Sequence, residues 1–178
     1  MADAIITGVF ALLGAAVGLV GERLVRSKGA LLFRSSGWYL SCAFKNVDSE
    51  GTHYVPFDRS IPTRERLMER ADHATYDCDI KMFNEKEIDT GLRDVAVVFV
   101  DNSGTELIRS VPQTVDSRNF VVDPDVINLP ARQWVYGQYH DVIQPDEFEA
   151  LARSTKVELR AFLPGDKPFV REIRKLWE

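Results

Sequence analysis

The sequence predicts a mainly β protein, an antiparallel two-layer sandwich preceded by one N-terminal transmembrane helix. Three features predict it: an uncharged apolar run near the start, seven or eight later segments that alternate with a period of two, and no helix long enough to return a strand in parallel. A chain of 178 residues can bury one good core but not two ordinary domains plus a membrane segment. The expected division is residues 1–28 as a transmembrane anchor with its basic flank, and residues 29–178 as a cytosolic sandwich domain.

Residues 4–21 hold eighteen consecutive positions without a charge. At a helical rise of about 1.5 Å per residue they reach about 27 Å, close to the thickness of a bilayer's hydrocarbon layer. Four glycines in this run would each cost about 1 kcal/mol against alanine in a soluble helix, yet glycine is common where membrane helices pack closely. Thr7, Ala11, Gly14, Gly18 and Gly21 follow at steps of four, three, four and three, which places them on one helical face. Gly14 and Gly18 form a GxxxG pair, so this face is a helix-packing stripe for self-association; chance pairing in a glycine-rich anchor is the plainer alternative.

A cleaved signal peptide would begin with basic residues, whereas this chain begins Met-Ala-Asp and carries its basic residues after the apolar run. Only the small-x-small pattern Ala16-Val17-Gly18 favours cleavage. The membrane-flanking Arg23, Arg26 and Lys28, with Arg34 beyond them, put the positive charge on the C-terminal side of the span. That places the domain in the cytoplasm, tethered to the inner membrane by a single pass.

From Gly29 onward the period is two. In WYLSCAFKN, Trp38, Leu40, Cys42 and Phe44 alternate with polar or small residues; in ATYDCDIKMF, Tyr76, Cys78, Ile80 and Met82 oppose Thr75, Asp77, Asp79 and Lys81. Val95 to Val100 is almost continuously apolar, as a central strand buried on both faces would be. Asp101-Asn102-Ser103-Gly104 then supplies turn chemistry, and a second strand through Leu107 and Val111 completes a hairpin. Further strands are expected at NFVV, VINL, QWVYGQY, KVELRAFL and PFVREIRKLW, and short helices at TRERLMERAD and PDEFEALARS. This spacing of short strands and turns fits an Ig-like or C2-like sandwich.

Composition narrows the chemistry. The net charge is −5; residues 1–28 contribute two acidic and three basic groups, so the domain keeps 25 acidic and 19 basic residues, a balance of −6. An electrostatic nucleic-acid binder needs a basic face, and none is expected here. Two cysteines without CxxC spacing argue against a zinc site or a disulfide scaffold. Cys42 and Cys78 sit on apolar faces of neighbouring strands, so a bridge is open to them in an exported domain and not in a cytosolic one; their redox state is expected to report the compartment.

Candidate reactive groups are few. His73 stands among Asp72, Asp77, Cys78 and Asp79, a metal-like set, but strand alternation turns both Asp77 and Asp79 away from Cys78. His140 neighbours Asp141 without a GxSxG or similar nucleophile motif. Asp123, Asp125 and Asn128 offer oxygens to calcium as a C2-like loop does, yet calcium takes six or more, and EF-hand spacing is absent. Neither GxxxxGK[ST] nor GxGxxG occurs. No catalytic residue, metal or cofactor is assigned, and no enzyme is expected. Trp134, Tyr136 and Tyr139 in QWVYGQYH are expected in the core, the alternative being a partner-binding patch near a sheet edge.

The run MFNEKEIDTGLRDVAVVFVDNSGTELIRSVP, with VINLPARQWV and FLPGDKPFVREI after it, resembles the sandwich domain of small uncharacterised bacterial single-pass membrane proteins. The resemblance covers Gly29 to Glu178; it implies a fold and a topology and brings no catalytic residues. The function expected is a membrane-tethered, non-enzymatic interaction or adaptor module that binds a protein partner or associates with itself through its helix. Two alternatives differ in class: a membrane effector of the stress or phage-defence type whose sandwich senses a ligand, and an exported binding domain if the leader is cleaved.

Overall fold

The computed structural model describes residues 28–48, 51–56, 71–111, 114–115, 121–122 and 126–177, with helical positions at 17, 19–22, 26 and 64. Thr7, Ala11, Gly14, Gly18 and Arg23 lie outside the described residues, as do Asp123, Asp125 and all of TRERLMERAD but Arg64, Ala71 and Asp72. Among the described residues, no helix is long and apolar enough to cross a membrane.

Eleven strands are described, and every pairing between them is antiparallel. The first sheet is built from β1 (Leu31–Asp48), β2 (Gly51–Pro56), β3 (His73–Asn84) and β9 (Trp134–Ile143), in the order β2-β1-β3-β9. The second contains β4 (Thr90–Val100), β5 (Glu106–Ser110), β10 (Lys156–Leu163) and β11 (Lys167–Lys175), in the order β11-β10-β4-β5, and β8 (Val126–Leu129) pairs with the first half of β4. Two short strands, β6 (Thr114–Val115) and β7 (Val121–Val122), form a separate ribbon. A 3-10 turn at Pro145–Glu147 leads into the one described helix of any length, α1 (Phe148–Arg153).

Alternation decides which side chains fill the space between the sheets. From β3 come Tyr76, Cys78, Ile80 and Met82, all buried, while Asp77 and Lys81 face out, as the sequence predicts. Trp38 stacks on Tyr76 with ring centroids 5.5 Å apart, and Phe99 of β4 meets the two edge-on at 6.1 and 5.6 Å. These contacts join the layers at mid-sandwich. Toward the β1 and β11 sides, Phe33 meets Phe169 at 6.4 Å and the Ser35 hydroxyl donates to the Ile173 carbonyl at 2.7 Å.

A bulge in β1 reverses its alternation. The register jumps between Ser36 and Tyr39, so Leu31 and Phe33 point inward before it and Trp38, Leu40 and Cys42 after it. Gly37 makes this possible at φ +67°, in the left-handed region, where a Cβ would lie 2.5 Å from the Asp79 carboxylate. Phe44 departs from expectation: it is exposed near the far end of β1, and Ala43 beside it is buried.

The β4–β5 hairpin forms with the predicted turn. Asp101 Oδ1 accepts from the backbone N–H of Ser103 at 2.8 Å and of Thr105 at 2.9 Å, and Gly104 takes φ +85°. A register shift beside Val100 gives Ile108 and Ser110 the inward positions instead of Leu107 and Val111, and Val111 is exposed beyond the strand. Ser110 joins the sheets through polar contacts: its Oγ lies 2.6 Å from the Tyr76 hydroxyl and donates to Asp141.

Strand β4 is buried on both faces from Val95 to Val100. Its outward Ala96, Val98 and Val100 form a second apolar cluster. Across from them in register stand Arg160, Glu158 and Lys156 of β10, all charged. Glu158 is buried, with Lys156 Nζ at 2.7 Å and Arg160 Nη2 at 2.9 Å; Arg160 also reaches Glu106 at 3.1 Å. Burial alone would push the Glu158 acid up, but the hydrogen bonds and charges of Lys156 and Arg160 outweigh it and hold the carboxyl below its ordinary value of 4.5.

The cysteines are corrected by register. Cys42 pairs with Ala74, four residues along β3 from Cys78, which separates them by about 13 Å, beyond the roughly 7 Å limit for a bridge. Both are buried free thiols, so their redox state does not report the compartment. Two outcomes are expected. Thermal melts of the protein are the same with and without reductant, and intact mass shows both protons on sulfur; a reductant-sensitive midpoint would contradict this register. Glu158→Gln lowers stability by about 1–3 kcal/mol near neutral pH. A carboxyl with a depressed folded pKa stabilises above its unfolded pKa and loses that contribution as pH falls through the folded value. Urea titrations should therefore show the difference between the two proteins shrinking below about pH 4.5.

Candidate functional site

The outer face of the first sheet collects side chains from three strands into rows. Leu32, Phe83 and Trp134 share the row nearest the start of β1; Arg34, Lys81 and Tyr136 share the next, and Ser36, Asp79 and Gln138 the third. Because β9 is the last strand of this sheet, its outward residues lie beside an edge. Trp134 is 42% exposed and Tyr136 66%, against the core placement expected from sequence.

The rings are in contact along the surface. Phe83 and Trp134 have centroids 5.2 Å apart, Trp134 and Tyr136 6.5 Å, and Lys81 Nζ stands 5.3 Å from the Tyr136 ring centre. Beside this shelf is an open depression of about 500 Å³, bordered by Ser36, Asp79, Lys81, Tyr136 and Gln138 and floored by Ile80 and Gly137. The depression meets the bulge at Gly37, whose turn brings the Asp79 carboxylate against the β1 backbone.

Tyr139 keeps the core placement expected from sequence and so leaves the alternative surface patch. It is 4% exposed and belongs to the core, because odd-numbered positions of β9 face inward. Its ring lies over Gly137, where a Cβ would stand 2.6 Å from the ring carbons, so the glycine leaves space for the ring. The sequence grouping of three aromatics therefore separates into two on the shelf and one in the core. Phe83 and Lys81, which complete the shelf, were not singled out from sequence; their outward parity on β3 was the available signal, but their pairing with β9 was not.

The shelf's side chains stack, attract charge and hydrogen-bond. Elsewhere, burial pushes the thiol of Cys42 up to about 11 and that of Cys78 up to about 12, so both stay protonated at neutral pH. His140 Nδ1 is 3.9 Å from Asp77 Oδ1, with both side chains exposed. Among the described residues, no three His, Cys, Asp or Glu side chains converge as a metal site, and Asp77 and Asp79 do point away from Cys78.

A family model, the YopI Ig-like domain, matches residues 58–169, which is 112 of the 178 positions. The chain belongs to the YopI Ig-like domain family. The two packed antiparallel sheets agree with that assignment, and the matched span runs through β3 to β10 into the start of β11. Strands β1 and β2 precede the matched span, yet β1 supplies Phe33, Trp38 and Cys42 to the same sandwich. No curated protein and no solved structure matches this YopI Ig-like domain chain.

The packing at Gly137 gives a direct check on the shelf's foundation. Gly137→Ala forces its methyl group into the Tyr139 ring, and a loss of about 1–3 kcal/mol in urea unfolding is expected. Tyr136→Ala, which removes a side chain from the outer surface, should change stability by less than about 0.5 kcal/mol.

Proposed function

We propose that this chain is a membrane-tethered, non-enzymatic interaction module of bacterial type. One helix within residues 1–28 holds the Ig-like sandwich at the cytoplasmic face of the inner membrane, and residues 29–178 make contacts through the shelf of the first sheet. The observation that carries this reading is the exposure of Trp134 and Tyr136 side by side on an edge strand, joined by Phe83 and Lys81. Large aromatics in a shared surface cluster are the residue type that concentrates binding energy at interfaces.

The tether rests on the eighteen uncharged residues 4–21 and on the basic flank Arg23, Arg26 and Lys28. Arg26 and Lys28 are exposed, and Arg26 pairs with Glu22 one helical turn before it. Self-association through Thr7, Ala11, Gly14, Gly18 and Gly21 is the second part of the reading, since small residues let two helices approach closely. The acidic balance of the domain supports partners other than nucleic acid.

Parallel C-terminal fusions test the topology: a green fluorescent reporter should shine and a phosphatase reporter should stay inactive, and the chain should resist carbonate extraction. Active phosphatase would move the sandwich across the membrane and remove the proposal. In detergent, Gly14→Ile should abolish cross-linked oligomers of the full chain; if the native chain cross-links only as a monomer, the self-association part is withdrawn.

A further inference from the structure

We propose that the shelf's own partner is the membrane surface: the row Leu32, Phe83 and Trp134, with Tyr136, Arg34 and Lys81 behind it, seats in an anionic lipid headgroup layer. This deepens the reading above and rests on its tether. The first observation is position. The Glu87 N–H donates to the Arg26 carbonyl at 3.0 Å, and Glu85 N–H to the Ala30 carbonyl at 3.0 Å, so the end of the N-terminal segment is bonded to the β3–β4 corner. Asn84 fixes that corner, donating to the Ile88 and Leu129 carbonyls at 2.9 Å each. Phe83 is the next residue, and Trp134 is its cross-strand partner.

Depth is bounded by chain length. Arg26 is five residues beyond Gly21, the last residue of the uncharged run, so even a fully extended chain puts it within about 18 Å of the end of that run. The shelf's first row is thus within reach of the headgroup layer, where Trp and Tyr are enriched in membrane proteins.

Charge supplies the third observation. At this end of the sandwich Glu22 pairs with Arg26, Glu87 with Arg132 and Asp166 with Arg93, while Glu85 and Asp89 accept from the Ala30 and Ala131 N–H groups; Asp79, in the shelf's third row, has no cation in salt-bridge range among the described residues. Among the described residues, no carboxylate lies in salt-bridge range of Lys28, Arg34 or Lys81. The opposite end carries Asp101, Asp146, Glu147 and Glu149 around the β4–β5 turn and the start of α1, together with Arg153 and Lys156. An anionic leaflet therefore attracts the exposed cations Lys28, Arg34 and Lys81 of the shelf end, within a chain whose net charge is −5.

The test uses the full chain in phosphatidylcholine vesicles, with and without phosphatidylglycerol, containing lipid brominated near the headgroup end of its acyl chains. Tryptophan quenching of the native chain is compared with that of Trp134→Phe, the difference isolating Trp134 from Trp38 and Trp177. Native protein should quench more than the variant, the excess should rise with phosphatidylglycerol, and Arg34→Glu with Lys81→Glu should cut it at least two-fold while the far-ultraviolet spectrum stays native. Equal quenching in a chain that floats with the vesicles overturns the inference, leaves the tether standing and gives the shelf to a protein partner. A chain that fails to float removes the tether and this inference together.

Discussion

Burial of β4 on both faces is the constraint from which the rest of the sandwich follows. A strand with no wet face has to be central, so β5 and β8 must share one of its edges and β10 must take the other. Its inward Val95, Val97 and Phe99 need a second apolar layer, and Trp38 and Tyr76 of the first sheet provide it. Its outward Ala96, Val98 and Val100 are small, and the neighbouring strands set charged residues beside them. Glu158 could not be buried there alone. Lys156 and Arg160 neutralise it on the same strand, and Glu106 of β5 then answers Arg160 and its own neighbour Arg109, so one apolar strand dictates a five-membered ionic arrangement over two partners.

Much of this was legible wherever one strand carried its own signal. The continuous run Val95–Val100, the Asp101–Gly104 turn, and the alternation Tyr76–Cys78–Ile80–Met82 each appear in the fold as read from the chain. What failed was information that lives between strands. The sequence LLFRSSGWYL does not show which of its residues face inward, because the bulge at Gly37 changes the phase of the alternation midway. The cysteines looked adjacent because both face inward; only the pairing of Cys42 with Ala74 shows that they are four residues out of step.

The candidate site was half legible for the same reason. Trp134 and Tyr136 share parity, and Tyr139 has the other, so the division between shelf and core was present in the numbering. On the inward face of the same sheet Cys78 stands across the register from Tyr139 and the small Gly137 admits its ring. Phe83 and Lys81 joined the shelf through the β3–β9 register, and Leu32 and Arg34 through the β1–β3 register. Those four residues come from places in the sequence with nothing in common except their partners across the sheet.

Leaving two large aromatics wet on an edge strand is costly in a way the fold could have avoided. Edge strands tend to be protected by charge, by bulges or by covering segments, because exposed apolar edges invite pairing between chains. Here Lys81 over the Tyr136 ring and Asp77 and Asp79 farther along β3 supply charge beside β9, yet none of them covers Trp134. Tyr139 shows that β9 can place an aromatic ring inside when the opposite face asks for one. The outward pair is therefore set by strand parity against a strong preference for burial, and a surface that keeps such a pair beside Arg34 and Lys81 is better suited to meeting an apolar, anionic boundary than to standing in bulk water.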